Sequence, residues 1–247
     1  MRRYLLSLLY FSVPSLSFAR ENSPPRFGTH GVSKHSNQTV VVNWNTAEGR
    51  SRLSRSAHSV DFYQMAHFFS PQIYPSFCGI ASSTIVLNAL RVPNGKAPAN
   101  RQLEMPLPRV WGGGSVTYAL YTQETFFTAA TDRIKTRAVI ALNNITEENK
   151  DDETAFNPGL TLTELSGMLR AHAAEVDVVH AKDPDGVEAF RQTLRSRLAD
   201  TSHFLIANFH GRGIGLTSGG HIVPLAAYEQ ESDSVLLLDV ASTKRPW

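Results

Sequence analysis

Apolar positions in this chain recur at two spacings. Ile80, Thr84, Leu87 and Leu90 return at helical intervals, which predicts a helix beginning near Cys78 and burying that face. Leu162, Leu165 and Leu169 share one face of a second helix, opened by the capping box Thr161-Leu162-Thr163-Glu164. Val187, Phe190, Leu194 and Leu198 mark a third, and residues 61–69 a short helix ending before Pro71. Strand character falls at residues 39–44, 176–179 and 204–209. Two further β-rich runs, 219–228 and 235–240, are joined by a short polar stretch and read as a hairpin. Residues 51–59 read as solvated polar surface, 93–108 as a loop, and Gly112 to Gly114 as a flexible turn with no phosphate-binding pattern after it. Helices gathered early and strands late predict an α+β fold, the Cys78 helix packed on an antiparallel sheet.

The N-terminus reads differently. Arg2 and Arg3 precede an apolar run to Phe18, with Ser17-Phe18-Ala19 as a small-residue cleavage site, so residues 1–19 are expected to be an export signal. The run is short for a membrane-spanning helix. Residues 20–38, rich in Pro, Ser and Gly, read as a tail, and residues 39–247 as one domain. Losing Arg2 and Arg3 brings the basic residues into balance with the 22 acidic ones, which argues against a nucleic-acid partner. No stable membrane span is expected after signal removal, and the expected location is periplasmic.

Export makes the cysteine count informative. The chain holds 1 cysteine, so it can form no internal disulfide, no thiolate zinc site and no CxxC redox pair. The 9 histidines lack metal-ligand spacing, and no resident metal or intrinsic cofactor is expected. Cys78 lies where a loop turns into an apolar helix, and a helix N-terminus, with its partial positive charge and unpaired N–H groups, favours a thiolate. Gly79 permits close backbone approach, and the Gln72 amide could join the Cys78 N–H as an oxyanion donor. The competing reading is a small buried hydrophobe.

The hairpin supplies a base. Pairing Tyr228 with Ser234 sets His221 opposite Ala241 and makes Asp239 its diagonal neighbour, roughly 7–8 Å away at Cα. A thiol nucleophile needs an imidazole to take its proton and a carboxylate to hold that imidazole. His221 as a strand-end residue and Asp239 as a turn acid remain open alternatives.

Gln72 with Cys78 in the segment FCGIASSTIVLNAL, then GGHIVPLAAY and LLLDV in that order, resembles the catalytic domain of phytochelatin synthases, most closely the short bacterial members. Tyr121 to Phe127, Gly159 to Leu162, and Asn208-Phe209 also resemble family segments, so the likeness runs from about Val40 to Trp247. It implies a papain-like fold, Cys78 as nucleophile, His221 as base, Asp239 as orienting acid and Gln72 in the oxyanion hole. It implies glutathione as substrate, with cadmium or zinc acting through glutathione thiolate complexes that stimulate transfer.

Some positions depart from the family pattern. Lys244 matches, but an arginine expected after the acid is Ser242, one expected three residues after Asn208 is Gly211 with Arg212 beside it, and a usual serine is Val223. These changes touch the site for an acceptor peptide and weigh toward hydrolysis over transfer. Lys244, Arg212 and Gly220 are the candidate substrate-binding residues, with Arg245 a further cation for glutathione's carboxylates. Two other classes stay open: a papain-like peptidase acting on α-peptides, and a non-enzymatic metal- or thiol-binding protein. The sequence leaves the oligomeric state undetermined.

Overall fold

The computed structural model describes residues 5–11, 41–141, 146–148, 150, 159–181, 185–211 and 219–241. In chain order the main elements are β1 (Leu5–Phe11), α1 (Ala47–Arg55), α2 (Val60–Ala66), α3 (Cys78–Arg91), β2 (Asn100–Pro106) and β3 (Ser115–Tyr118). There follow α4 (Ala129–Asp132), α5 (Arg137–Ile140), α6 (Leu162–Ala171), β4 (Glu175–Ala181), α7 (Asp185–Leu198), β5 (His203–His210), β6 (Gly220–Glu229) and β7 (Ser234–Leu237). Five strands form one sheet in the order β4-β1-β5-β6-β7, while β2 and β3 pair separately. The β5–β6–β7 part is antiparallel, as the sequence predicts. β1 lies between β4 and β5, parallel to both, so part of the apolar run read as an export signal holds a strand position here.

Alternation along the strands builds two cores. Phe204, Ile206, Ile222 and Ala226 join α3 and α6 on one face, while Leu205, Ala207, Phe209, Val223 and Leu225 meet Leu194 and Leu198 of α7 on the other. A sheet covered on both faces needs near-continuous apolar strands, as β5 and β6 have.

α3 is buried on every side from Cys78 to Leu90, not only on the predicted face. Its hydroxyl and amide side chains are tolerated because each has a partner. Ser82 Oγ donates to Ile222 O at 3.0 Å, Ser83 Oγ to Gly79 O at 2.7 Å and Thr84 Oγ1 to Ala81 O at 2.9 Å. Asn88 brackets Tyr121, donating to its carbonyl at 2.9 Å and accepting from its N–H at 2.7 Å.

Two expectations are corrected, one of a strand and one of a loop. Residues 41–44 are not a strand but lead into α1, whose first turn Thr46 caps by accepting from Gly49 N at 3.1 Å. That same helix carries the first part of the stretch read as solvated polar surface, which stays at the surface, with Arg52 and Glu48 paired at 2.7 Å across one turn. The predicted 93–108 loop contains β2, which pairs with β3 around a turn where Gly112, Gly113 and Gly114 take φ of 98°, 66° and 83°.

The capping box on α6 forms as predicted. Glu164 N donates to Thr161 Oγ1 at 3.2 Å, Thr161 N donates back to Glu164 Oε2 at 2.7 Å, and the buried Lys135 ammonium lies 3.3 Å from the same carboxylate. Thr161→Ala should lower stability by about 1 kcal/mol, read as a lower denaturant midpoint at unchanged slope.

Candidate active site

Cys78 is the first residue of α3, preceded by Phe77, which offers no side-chain cap. The orphan N–H groups of the first turn are thereby left for another acceptor. α3 is seated by close contact: a Cβ on Gly79 would meet both Ile222 Cδ1 and Leu160 Cδ1 at 3.2 Å. Ser76 Oγ donates to Ile140 O at 2.5 Å, anchoring the loop just before the cysteine.

His221, the second residue of β6, is 7% exposed, and its Nε2 lies 2.7 Å from Asp239 Oδ1. Asp239 Oδ1 also accepts from Ala241 N at 2.9 Å, which holds the carboxylate in place. The ring stands edge-on to Phe209, its cross-strand partner, at 5.9 Å between centroids. Nε2 is engaged by Asp239, and Cys78 acts on the same ring from α3, favouring its charged form. Burial alone would pull the His221 pKa down, but the hydrogen bonds to Asp239 and Cys78, with the charges they carry, push it up to about 9. The buried imidazole therefore favours its protonated form at neutral pH.

Register explains how these groups meet. The pairing at the turn is Glu229 with Ser234 and Tyr228 with Val235, one residue from the expected frame. A bulge between Leu225 and Ala227 then restores that frame: Leu225 pairs with Leu237, and Leu238 N donates to Pro224 O at 3.0 Å. β7 ends at Leu237, and Asp239 lies in the buried, irregular segment beyond it.

Gln72 is half-buried in the loop before α3, where its backbone N–H donates to Val240 O at 2.9 Å. Its Nε2 donates to Tyr74 O and Pro75 O, both at 2.8 Å, while Oε1 is buried without a partner. An oxyanion role thus requires the amide to turn away from these carbonyls. Gln123 escaped the sequence reading as a site residue. It is 4% exposed and grips the Gln72 loop from both sides, its Oε1 accepting from Ile73 N at 3.0 Å and its Nε2 donating to Pro71 O at 2.8 Å. Only the segment around Gln123 stood out in the sequence, and nothing there marked the residue's burial.

Gly220 is exposed at the start of β6, pairs with His210 and has open space where a Cβ would stand. Lys244, Arg212 and Arg245 lie outside the described residues. Among the described residues no group of three His, Cys, Asp or Glu side chains is placed to hold a metal ion.

The raised His221 pKa fixes a sign. A histidine whose folded pKa exceeds its unfolded value contributes stability that is fully present below about pH 6.5 and fades as pH rises through about 9. Asp239→Asn should bring the His221 midpoint down from about 9 toward 6.5, followed by the imidazole proton resonances in an NMR titration. An unmoved midpoint would show that Asp239 does not hold the proton on the ring.

Known proteins carry the same sequence framework. The phytochelatin synthase family model matches residues 33–247. Glutathione gamma-glutamylcysteinyltransferase 3 of Lotus japonicus is 25% identical over 185 residues, which is 75% of this chain and 31% of that protein. Glutathione gamma-glutamylcysteinyltransferase 1 of Arabidopsis thaliana is 23% identical over 83% of this chain and 36% of its own length. The Schizosaccharomyces pombe glutathione gamma-glutamylcysteinyltransferase is 22% identical over 79% of this chain and 38% of its own length. The chain thus spans about a third of the length of the curated relatives it matches. With the family model covering most of its residues, the chain belongs to the phytochelatin synthase family.

Proposed function

We propose that this chain cleaves glycine from glutathione through a γ-glutamylcysteinyl thioester on Cys78. The observation that carries the reading is the buried Cys78–His221–Asp239 relay at the junction of α3 and β6, in a chain whose relatives are named for γ-glutamylcysteinyl transfer. With its proton passed to His221, Cys78 Sγ attacks the carbonyl between cysteine and glycine, and the charge that develops on its oxygen faces the N–H groups of the first turn of α3. Gln72 joins them once its amide turns. The tetrahedral intermediate collapses as His221 gives its proton to the departing glycine nitrogen, leaving the acyl group on sulfur. Asp239 keeps the imidazole oriented through both proton transfers.

Water resolves the thioester to γ-glutamylcysteine, and a second glutathione would resolve it to the longer oligomer. Ser242 and Gly211, where the family pattern has arginines, favour hydrolysis. Gly220 borders the substrate space, and Lys244, Arg212 and Arg245 supply cations for the substrate carboxylates. Export to the periplasm belongs to the same reading. Cleavage after Ala19 would remove β1, while the relay sits on α3, β6 and the segment after β7.

Cys78→Ser should lose glycine release by at least about 10³-fold, with the fold intact. Mass spectrometry of wild-type protein mixed with glutathione should show the γ-glutamylcysteinyl adduct on Cys78. Comparable glycine release by the variant would end the thiol mechanism, and faster cleavage of ordinary tripeptides than of glutathione would move the enzyme to the α-peptidases.

One cysteine and dispersed histidines make no evident home for a catalytic metal, and every role above is filled without one. Chelator-treated enzyme should keep releasing glycine, while oligomer formation should be weak and rise with cadmium or zinc supplied as glutathione thiolate complexes. Complete loss of glycine release on chelation, restored by one metal, would show that the assignment is mistaken.

A further inference from the structure

Gln72, the proposed oxyanion donor, combines a fixed backbone with a side chain that must move. Three consecutive peptide groups around it are held: Pro71 O accepts from Gln123 Nε2 at 2.8 Å, Gln72 N donates to Val240 O at 2.9 Å, and Ile73 N donates to Gln123 Oε1 at 3.0 Å. The Gln72 amide rests on the Tyr74 and Pro75 carbonyls, and its buried Oε1 has no donor. A buried acceptor without a donor is unfavourable, which offsets part of what the amide gives up when it turns away from those carbonyls.

Gln123 is in turn tied to the nucleophile helix. It is buried on a turn in which Thr122 N donates to Thr125 Oγ1 at 2.9 Å, Thr125 N donates back to Thr122 Oγ1 at 3.1 Å, and Phe126 N closes on Thr122 O at 2.9 Å. Tyr121, two residues earlier, has both its backbone groups bracketed by Asn88 of α3. A short path of hydrogen bonds and peptide links therefore runs from α3 through Asn88, Tyr121 and Gln123 to the peptide groups flanking Gln72. Both ends of the Gln123 amide are used, one as acceptor and one as donor. Glutamate in its place would lose the donor, and leucine both.

We propose that Gln123 is a positioning residue for the reaction at Cys78: by holding the chain on both sides of Gln72, it fixes the pivot about which the Gln72 amide turns from its resting carbonyls to the charge developing on the scissile oxygen. The assignment rests on the thiol mechanism proposed above and adds to it a residue that acts through Gln72. Misplacing a reacting group by about 1 Å costs on the order of 10²-fold in rate. Ground-state binding makes no use of that donor and is left as it was.

Gln123→Leu should lower kcat for glycine release about 10- to 100-fold with KM nearly unchanged, and Gln72→Ala about 10²- to 10³-fold. Once Gln72 is alanine, adding Gln123→Leu should change kcat by less than about twofold, because the group it positions is gone. Gln123→Glu, nearly equal in size, keeps an acceptor for Ile73 N and sets a carboxylate oxygen against Pro71 O. It should repeat the pattern, and it takes over if Gln123→Leu unfolds, as judged by thermal unfolding. Losses that multiply in the double variant would overturn the proposal, since a glutamine that merely steadies the fold costs the same with or without Gln72. So would an unchanged kcat in a folded Gln123 variant. The same cycle is run on p-nitrophenyl acetate, whose acyl group also passes to a thiol through an oxyanion. A protein that leaves glutathione uncut then fails the substrate reading, while the ester still decides the role of Gln123.

Discussion

Everything at the candidate active site depends on how closely α3 lies against β6. Gly79 and Ile222 touch where a single methyl group would already be crowded, and Ser82 ties the next turn of the helix to the Ile222 carbonyl. Each of those residues neighbours a reactive one, or lies a turn away: Gly79 follows Cys78, and Ile222 follows His221. The contact therefore sets the separation of nucleophile and base through backbone, not through flexible side chains. Leu160 closes the other side of Gly79, so the start of α6 and the start of α3 are located by the same missing side chain.

Once that spacing is fixed, electrostatics completes the arrangement. A histidine with its ring sealed from solvent would ordinarily stay neutral, yet Asp239 and Cys78 reverse the preference. The carboxylate can do this because it is itself held, by Ala241 N as well as by the ring. Gln123 acts on the loop in the same spirit, through two backbone groups that flank Gln72.

The sequence made some of this plain for physical reasons. Strong periodicity and a capping box exposed α3, α6 and α7, because these signals are local. The burial of α3 on all sides was not legible, since it depends on β6 and α2 packing against one helix from different parts of the chain. The β2–β3 hairpin was missed because Asn100 to Pro106 lacks the β-branched and aromatic residues that announce a strand. α1 was missed for its polarity, although Thr46 as cap and the Glu48–Arg52 spacing were present to be read. At the site, Cys78, His221 and Asp239 were legible from type and order. Gln123 was not, because a glutamine's burial is a property of the folded loop.

The hairpin bulge bears on the placement of the acid. The register in which β7 reaches its end, and so the position from which the segment carrying Asp239 starts, is set by the bulge opposite it. The turn frame and the bulge at Ala226 are each one residue out of step with a simple ladder, and the two offsets cancel. Loss of the bulge alone would shift the pairs between it and the end of β7 by one residue, and with them the point at which the chain leaves the strand toward Asp239. The turn between Glu229 and Ser234 can therefore change length freely, whereas the single unpaired position at Ala226 cannot be lost without moving the acid against its histidine.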